Sequence, residues 1–320
     1  MIDVTCVGGL VADVVGTPVD GLPSRGTLAL LDRIELHSGG CAANTGVGLA
    51  KLGLTSAIVG KVGRDGFGAF LRSTLAAGGA LVDGIVEDPM VPTSATMVMV
   101  HSDGERTFLH CLGANAELTL NDIDVNAVLN SRVLLMAGAF LVPRLDGAPV
   151  ASLLKKAQQA NVITCLDTAW DATGQWMNTL APCMPHIDFF VPSYQEAIQL
   201  LPGVVDPREL ASAFREMGAD CVIIKDGENG CYISEPNGST AIVPPYSVAT
   251  VDALGAGDAW VSGFLAAKLN GMPTVDAARF ANAVGACCVT SLGATTGIRS
   301  YSETLEFMAT TCQRAPVNAH

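Results

Sequence analysis

The sequence predicts an α/β protein: a mostly parallel sheet wrapped by helices, with a small β-sheet flap beside it. Three observations predict this. From residue 133 onward, short apolar runs alternate with helix-period segments, which is the rhythm of right-handed βαβ units. Before that point, residues 93–110 read as a hairpin about Ser102-Asp103-Gly104-Glu105, and a tight hairpin interrupts a crossover pattern. Hydrophobic residues make up 49% of the 320 and charged ones 15%, enough for a large core. A prior of about 150 residues per domain would suggest two units, but α/β domains often run longer. We therefore read 1–320 as one domain, with lid segments at about 14–37 and 91–111 inserted in it.

In chain order, residues 4–9 form a buried first strand that breaks at Gly8-Gly9, followed by Asp13. Ligands gather beyond the carboxyl ends of parallel strands, so Asp13 could meet a substrate hydroxyl; it could equally form a turn. Residues 14–36 alternate weakly and contain Pro18 and Pro23, which suits short antiparallel strands. Gly39-Gly40 then enters an Ala-rich helix ending at Gly53. In it Asn44 offers a donor and an acceptor to a polyol, although small residues there also serve close packing. A strand at 55–60, a helix at 67–77 and a strand at 80–86 precede the hairpin. Strands follow at 133–137, at 162–166 (ending at Asp167) and at 187–191, with a helix at 147–160. Helices near 194–201 and 207–217 lead to strands at 221–225 and 230–234. Helices at 258–270, 274–290 and 302–312 complete the chain, the last after a Gly-bracketed loop, 292–297.

The most informative stretch is Val251-Asp252-Ala253-Leu254-Gly255-Ala256-Gly257-Asp258-Ala259-Trp260. A strand ends near Ile242-Val243, and a helical run begins at Ala259. Between them Gly-Ala-Gly opens a helix with almost no side chain, so a ligand can approach the backbone. The first N–H groups of a helix lack internal partners and carry partial positive charge, which makes an anion hole. Asp258 at its rim would act as general base toward a hydroxyl attacking a bound phosphate. The competing reading is that Asp258 only caps the helix.

Several classes are disfavoured. The net charge is −13, from 18 Lys+Arg against 31 Asp+Glu, and no basic run exceeds Lys155-Lys156. A nucleic-acid surface is therefore not expected. Ten cysteines show no Cys-x-x-Cys pair and fit a reduced cytoplasmic setting. No long apolar stretch or basic leader suggests a membrane or export. No Lys precedes Ser or Thr, so the P-loop motif is missing, and so are Gly-x-Gly-x-x-Gly and Gly-x-Ser-x-Gly. The histidines at 37, 101, 110, 186 and 320 show no metal-ligand spacing.

Over residues 3–300 the sequence resembles the ribokinase-like (PfkB) family of carbohydrate and nucleoside kinases. One signature is matched from Gly39-Gly40-Cys41-Ala42-Ala43-Asn44 through Gly66-Phe67-Gly68, the other by Asp252–Asp258, with Gly113-Ala114-Asn115-Ala116 between. The resemblance looks closest to bacterial sugar kinases of unassigned substrate. It implies a three-layer sandwich with a β lid, ATP and Mg²⁺, and a homodimer joined through the lids. It implies Asp258 as catalytic base and Gly255, Ala256 and Gly257 as the hole for the transferred phosphoryl group. Asp13, Gly39, Gly40, Asn44 and Asn115 match sugar-side positions. Lys225, Gly227 and Gly230 match the nucleotide-phosphate loop, and Asn282, Gly293 and Ala294 the adenine edge. Glu196 matches a residue that organises Mg²⁺ through water, with Ser193 where the family has Asn. Asp252 and the Leu254 carbonyl match ligands of a K⁺ ion.

The expected acceptor is a small neutral sugar or polyol, with a nucleoside as the alternative. Cys41 stands where ribokinases and phosphosugar kinases carry Lys, and Asp167-Thr168-Ala169-Trp170-Asp171 lacks the Arg that ketodeoxygluconate and fructokinase-like members carry in Asp-Pro-Asn-x-Arg. A second anionic group would be poorly paired, although Arg106 and His110 on the flap could supply positive charge. Trp170 reads more readily as a packed aromatic than as a stacking platform. A non-catalytic sugar-binding relative would be expected to lose Asp258 or Gly-Ala-Gly, and both are present.

Overall fold

Side chains along a strand point alternately to opposite faces, and the central strands use both. In β1 (Ile2–Gly8), Val4 and Cys6 enter one core cluster and Val7 the other. The computed structural model describes residues 1–314; His320 and the last stretch of the expected 1–320 domain lie outside them. After β1 come β2 (Val11–Thr17), β3 (Arg33–Gly39), α1 (Cys41–Lys51), β4 (Ser56–Gly63), α2 (Gly66–Ala77) and β5 (Leu81–Asp88). Then follow β6 (Ala95–Val100), β7 (Arg106–Cys111), α3 (Val125–Leu129), β8 (Ser131–Ala139), α4 (Ala148–Gln159) and β9 (Ile163–Thr168). α5 (Met177–Leu180), β10 (Phe189–Phe190), α6 (Tyr194–Leu200), α7 (Pro207–Glu216) and β11 (Cys221–Lys225) come next. β12 (Cys231–Ser234), β13 (Thr240–Val243), α8 (Ala256–Leu269), α9 (Thr274–Cys288) and α10 (Tyr301–Thr310) end the chain.

The large sheet runs β13-β12-β11-β10-β9-β8-β1-β4-β5. Seven strands are parallel; β12 and β13 pair antiparallel at one edge. The antiparallel edge arises because residues 226–230 return the chain directly from β11 to β12 without a crossover helix. From β1 the order runs outward both ways, to β4 and to β8, which creates a switch point where crevices open at strand carboxyl ends. Apolar residues of α1, α2, α8 and α9 fill one core cluster, those of α4 and α7 the other.

The flap is a separate four-stranded sheet, β3-β2-β6-β7. Residues 18–32, between the first two flap strands, hold no strand or helix, as Pro18 and Pro23 favour. Cross-strand register puts Asp13, His37, Thr96 and His110 on one face and Val14, Leu36, Met97 and Leu109 on the other. Met97 and Leu109 are more than half exposed.

Helices α1 and α8 touch closely because Gly48 has no Cβ; one there would stand 2.4 Å from Ser262 Oγ. Ser262 is fully buried and donates to the Thr45 carbonyl at 3.1 Å. Gly48→Ala would gain about 1 kcal/mol of helix propensity but costs about 1–3 kcal/mol in overpacking. The second term wins. We expect a lower melting temperature by calorimetry; an unchanged or higher value would show that the α1–α8 contact yields easily.

Candidate active site

Two helices begin at the carboxyl edge of the large sheet, and each is entered through glycine in a left-handed conformation. Gly40 (φ 94°) precedes α1 and Gly255 (φ 72°) precedes α8. A Cβ on Gly255 would also lie 2.5 Å from the Ala294 Cβ, so the late loop fits against the helix entry only because the position is glycine. No side chain caps α8. Asp258, in its first turn, instead receives the Asn44 amide on Oδ2 at 2.8 Å, a buried bond between α8 and α1. The capping reading of Asp258 is therefore overturned.

Burial raises the Asp258 carboxyl pKa, against the opposing pull of Asn44, Lys225 and the Cys41 thiol. Lys225, at the end of β11, donates to Asp167 Oδ1 at 2.6 Å. Burial works against the lysine charge, but Asp167 and Glu196 outweigh it and hold the ammonium above its usual value. A Cβ on Gly257 would have only Lys225 Nζ near it, at 3.6 Å. The gap between the bare helix start and the ammonium is thus open, with donors on both sides.

A cavity of about 560 Å³ spreads from this point. Of the expected residues, Asp258, Gly255, Ala256, Gly257, Lys225, Gly227, Gly230, Glu196 and Asn282 line it. Asp13, Gly39, Gly40, Asn44 and Asn115 do not; they gather where the flap joins α1. Gly293 and Ala294, expected at the adenine edge, do not line it either, since Ala294 packs against Gly255. Asp13 lies against Gly39, where a Cβ would stand 2.0 Å from Asp13 Oδ2. Burial raises its pKa, and the Thr96 hydroxyl and His37 oppose the rise. Asn115 exchanges both of its hydrogen bonds with the Leu10 backbone, at 3.0 Å each, and so positions the chain between β1 and β2. Asn282 accepts from Trp260 Nε1 at 2.7 Å and donates to the Val243 and Pro244 carbonyls, fixing one cavity wall.

Glu196 closes a capping box with Ser193, and its Oε2 also accepts from Thr168 Oγ1 at 2.8 Å. Ser at 193 thus keeps Glu196 in a defined place facing the cavity. No cluster of three or more His, Cys, Asp or Glu able to cage a metal exists among the described residues. One fixed carboxylate fits Mg²⁺, which keeps most of its waters and binds through one or two carboxylates plus phosphate oxygens. Asp252 fits K⁺ poorly: its oxygens accept from Leu254 N and Gly293 N, and Arg106 Nη2 stands 2.9 Å away.

Two expectations change. Trp170 is not packed away; it is 58% exposed, lines the cavity and meets Trp176 edge-on. Arg106 does not face a substrate anion, since Asp252 holds it. His110 bonds to Thr96 Oγ1 at 3.0 Å, and burial lowers its pKa. Sequence reading gave no role to Asp167, Thr168 or Arg314, which line the cavity. For Asp167 the usable signal was its place at the carboxyl end of a parallel strand.

An uncapped helix start, a buried carboxylate beside it and a lysine opposite suit a phosphotransferase of the kinase class. The pfkB family carbohydrate kinase model matches residues 1–300, and the chain belongs to that family. Its enzymes transfer phosphate to a sugar hydroxyl. A probable fructokinase of Arabidopsis thaliana is 28% identical over 272 residues, covering 80% of this chain and 83% of that protein. The ribokinase of Haemophilus influenzae is 27% identical over 312 residues, covering 95% and 97%. The crystal structure of ribokinase from Thermotoga maritima superposes with a TM-score of 0.83 at 26% identity, covering 97% of this chain and 100% of that one. The fold is ribokinase-like. Among the described residues no helix is long and apolar enough to cross a membrane.

The raised Asp258 pKa has a consequence for stability. A carboxylate whose folded pKa lies above its unfolded value loses stability as pH rises through the folded value. Asp258→Asn removes that burden while still accepting from Asn44. We expect the variant to melt about 2 °C or more above wild type near pH 8, the gap closing toward about pH 4. Thermal scans across pH check this, and a gap that widens toward acid would reverse the sign.

Proposed function

We propose that this protein transfers the terminal phosphoryl group of ATP to a hydroxyl of a small neutral sugar or polyol. The observation that carries the reading is Asp258, buried and held by Asn44 at the uncapped start of α8, with Lys225 across the gap. Asp258 takes the proton of the acceptor hydroxyl. The N–H groups at Gly255, Ala256 and Gly257 hold the phosphoryl oxygens, and Lys225 balances their charge. Its raised pKa brings the base closer to the working pH, as general-base efficiency requires. Mg²⁺ bound with the nucleotide would neutralise charge on the phosphate chain, and Glu196 is the residue that would hold it. Gly227 and Gly230 border the phosphates, and Asn282 shapes the base end.

Neutrality of the acceptor follows from charge. Arg106 is paired with Asp252 and Lys225 with Asp167, while His110 is pushed toward its neutral form. On the sugar side His37 is paired with Glu35, and Asp13, Asn44 and Thr96 suit hydroxyls. The kinship with a probable fructokinase and a ribokinase supports a free sugar. Two molecules pair through the outer flap faces, where Ile34, Met97 and Leu109 are each more than half exposed, covering the open strand edges.

A coupled ADP-release screen tests the reading over free sugars, polyols, sugar phosphates, sugar acids and nucleosides. We expect turnover with neutral sugars, and a drop of about 10²–10⁴-fold in Asp258→Asn with nucleotide binding kept. Near-wild-type turnover in that variant would remove the assignment of the base. For the dimer, Leu109→Glu is expected to halve the mass seen by light scattering; a wild-type monomer at working concentration would contradict the pairing.

A further inference from the structure

The oxygens that would ligate a monovalent ion beside the anion hole already face donors belonging to this chain. Asp252, its side chain only 3% exposed, accepts from Leu254 N and Gly293 N at 2.9 Å each and pairs with Arg106 Nη2 at 2.9 Å. The Ala294 carbonyl accepts from the Cys288 thiol at 3.2 Å, and that sulfur lies 3.9 Å from the Leu254 carbonyl. The Thr295 carbonyl accepts from Lys51 Nζ at 2.6 Å. A metal ion needs free lone pairs, and here the Asp252 carboxylate that it would share is already paired with a guanidinium.

Arg106 comes from β7 of the flap, whereas Asp252 belongs to the loop that enters α8. The two Asp252 oxygens grip the chain next to Gly255 on one side and next to Ala294 on the other. Those two residues are the ones in closest contact at the helix entry. Burying the Asp252 carboxylate without a counter-charge would be costly, and hydrogen bonds led by Arg106 outweigh burial to leave its pKa below the usual range.

We propose that Arg106 is a positioning residue that replaces a monovalent metal ion at the anion hole. This rests on the phosphotransferase reading given above. Two properties follow. The enzyme works without K⁺, and its anion-hole loop is set only while the flap lies over the site. In a chain lacking Arg106, the vacated carboxylate would take up K⁺ or free guanidinium.

Thermal unfolding of the full-length protein, without substrate, provides the first test, comparing KCl with tetramethylammonium chloride at equal ionic strength. We expect wild type to melt alike in both salts. Arg106→Ala should melt about 2–4 °C lower in tetramethylammonium and recover in KCl or with added guanidinium, because a ligand bound only to the native state raises its stability. Arg106→Lys, which keeps a positive charge, should stay indifferent to K⁺. With an acceptor sugar in hand, turnover should follow the same pattern, Arg106→Ala losing about tenfold or more in tetramethylammonium and regaining part of it in KCl. Stabilisation or activation of wild type by K⁺ would overturn the proposal, and so would an Arg106→Ala variant that neither cation restores. The melting arms need no acceptor, so they decide this point even if the ADP-release screen finds no turnover.

Discussion

A single buried hydrogen bond, Asn44 to Asp258, ties the structure to its chemistry. It spans 214 residues of sequence at 2.8 Å, and it exists only because α1 and α8 enter the same edge of the sheet. Each entry needs a left-handed glycine, Gly40 or Gly255. The approach of the two helices needs Gly48, and the loop against α8 needs Gly255 to lack a side chain. An ionised carboxylate buried without partners would be strongly disfavoured. The amide from α1 therefore both stabilises the charge and fixes where it points. Removing burial to relax the cost would also return the base to an ordinary carboxylate pKa, too acidic for efficient proton abstraction near neutrality.

The charges around Asp258 are arranged in local pairs. Lys225 faces Asp167, and Arg106 faces Asp252; Arg106 is held away from the acceptor, while Lys225 stays at the gap beside Gly257. Negative charge from phosphate must then be met mainly by backbone N–H groups and by Lys225, whose ammonium is kept protonated by its acidic neighbours. Backbone donors cost no reorganisation when charge develops. A neutral acceptor suits this arrangement, since an acidic one would bring a further anion to a flap whose Arg106 is already paired and whose His110 is pushed toward its neutral form.

Much of this was legible in the sequence because it was local. The alternation of short apolar strands with helices, the Asp103-Gly104 hairpin and the Gly-Ala-Gly before Asp258 each follow from neighbouring residues. The substrate-side contacts were less legible. Asn115 and Asn282 have the right chemistry to face ligands, yet the structure commits them to the Leu10 backbone and to Trp260, Val243 and Pro244. Nothing in one sequence tells an amide that binds a ligand from one that satisfies a distant carbonyl. The Arg106–Asp252 pair was hidden for the same reason: its members lie on different sheets and loops, and only the fold brings them together.

The division between flap and body explains how one catalytic frame can serve different acceptors. Asp258, Asn44 and the start of α8 belong to the body, whose central strands are buried on both faces and resist change. Asp13, Thr96 and His110 sit on one face of the flap sheet in a cross-strand row, where a substitution alters a side chain without moving Asp258. Because Arg106 extends from that same sheet to Asp252, flap position and anion-hole geometry are not independent. A change in the flap that shifts β7 would be felt at Gly255 through Asp252 and Leu254. On the proposed reading, acceptor choice would vary along the Asp13–Thr96–His110 row, while the end of the flap that carries Arg106 is tied to Asp252 and so to the entry of α8.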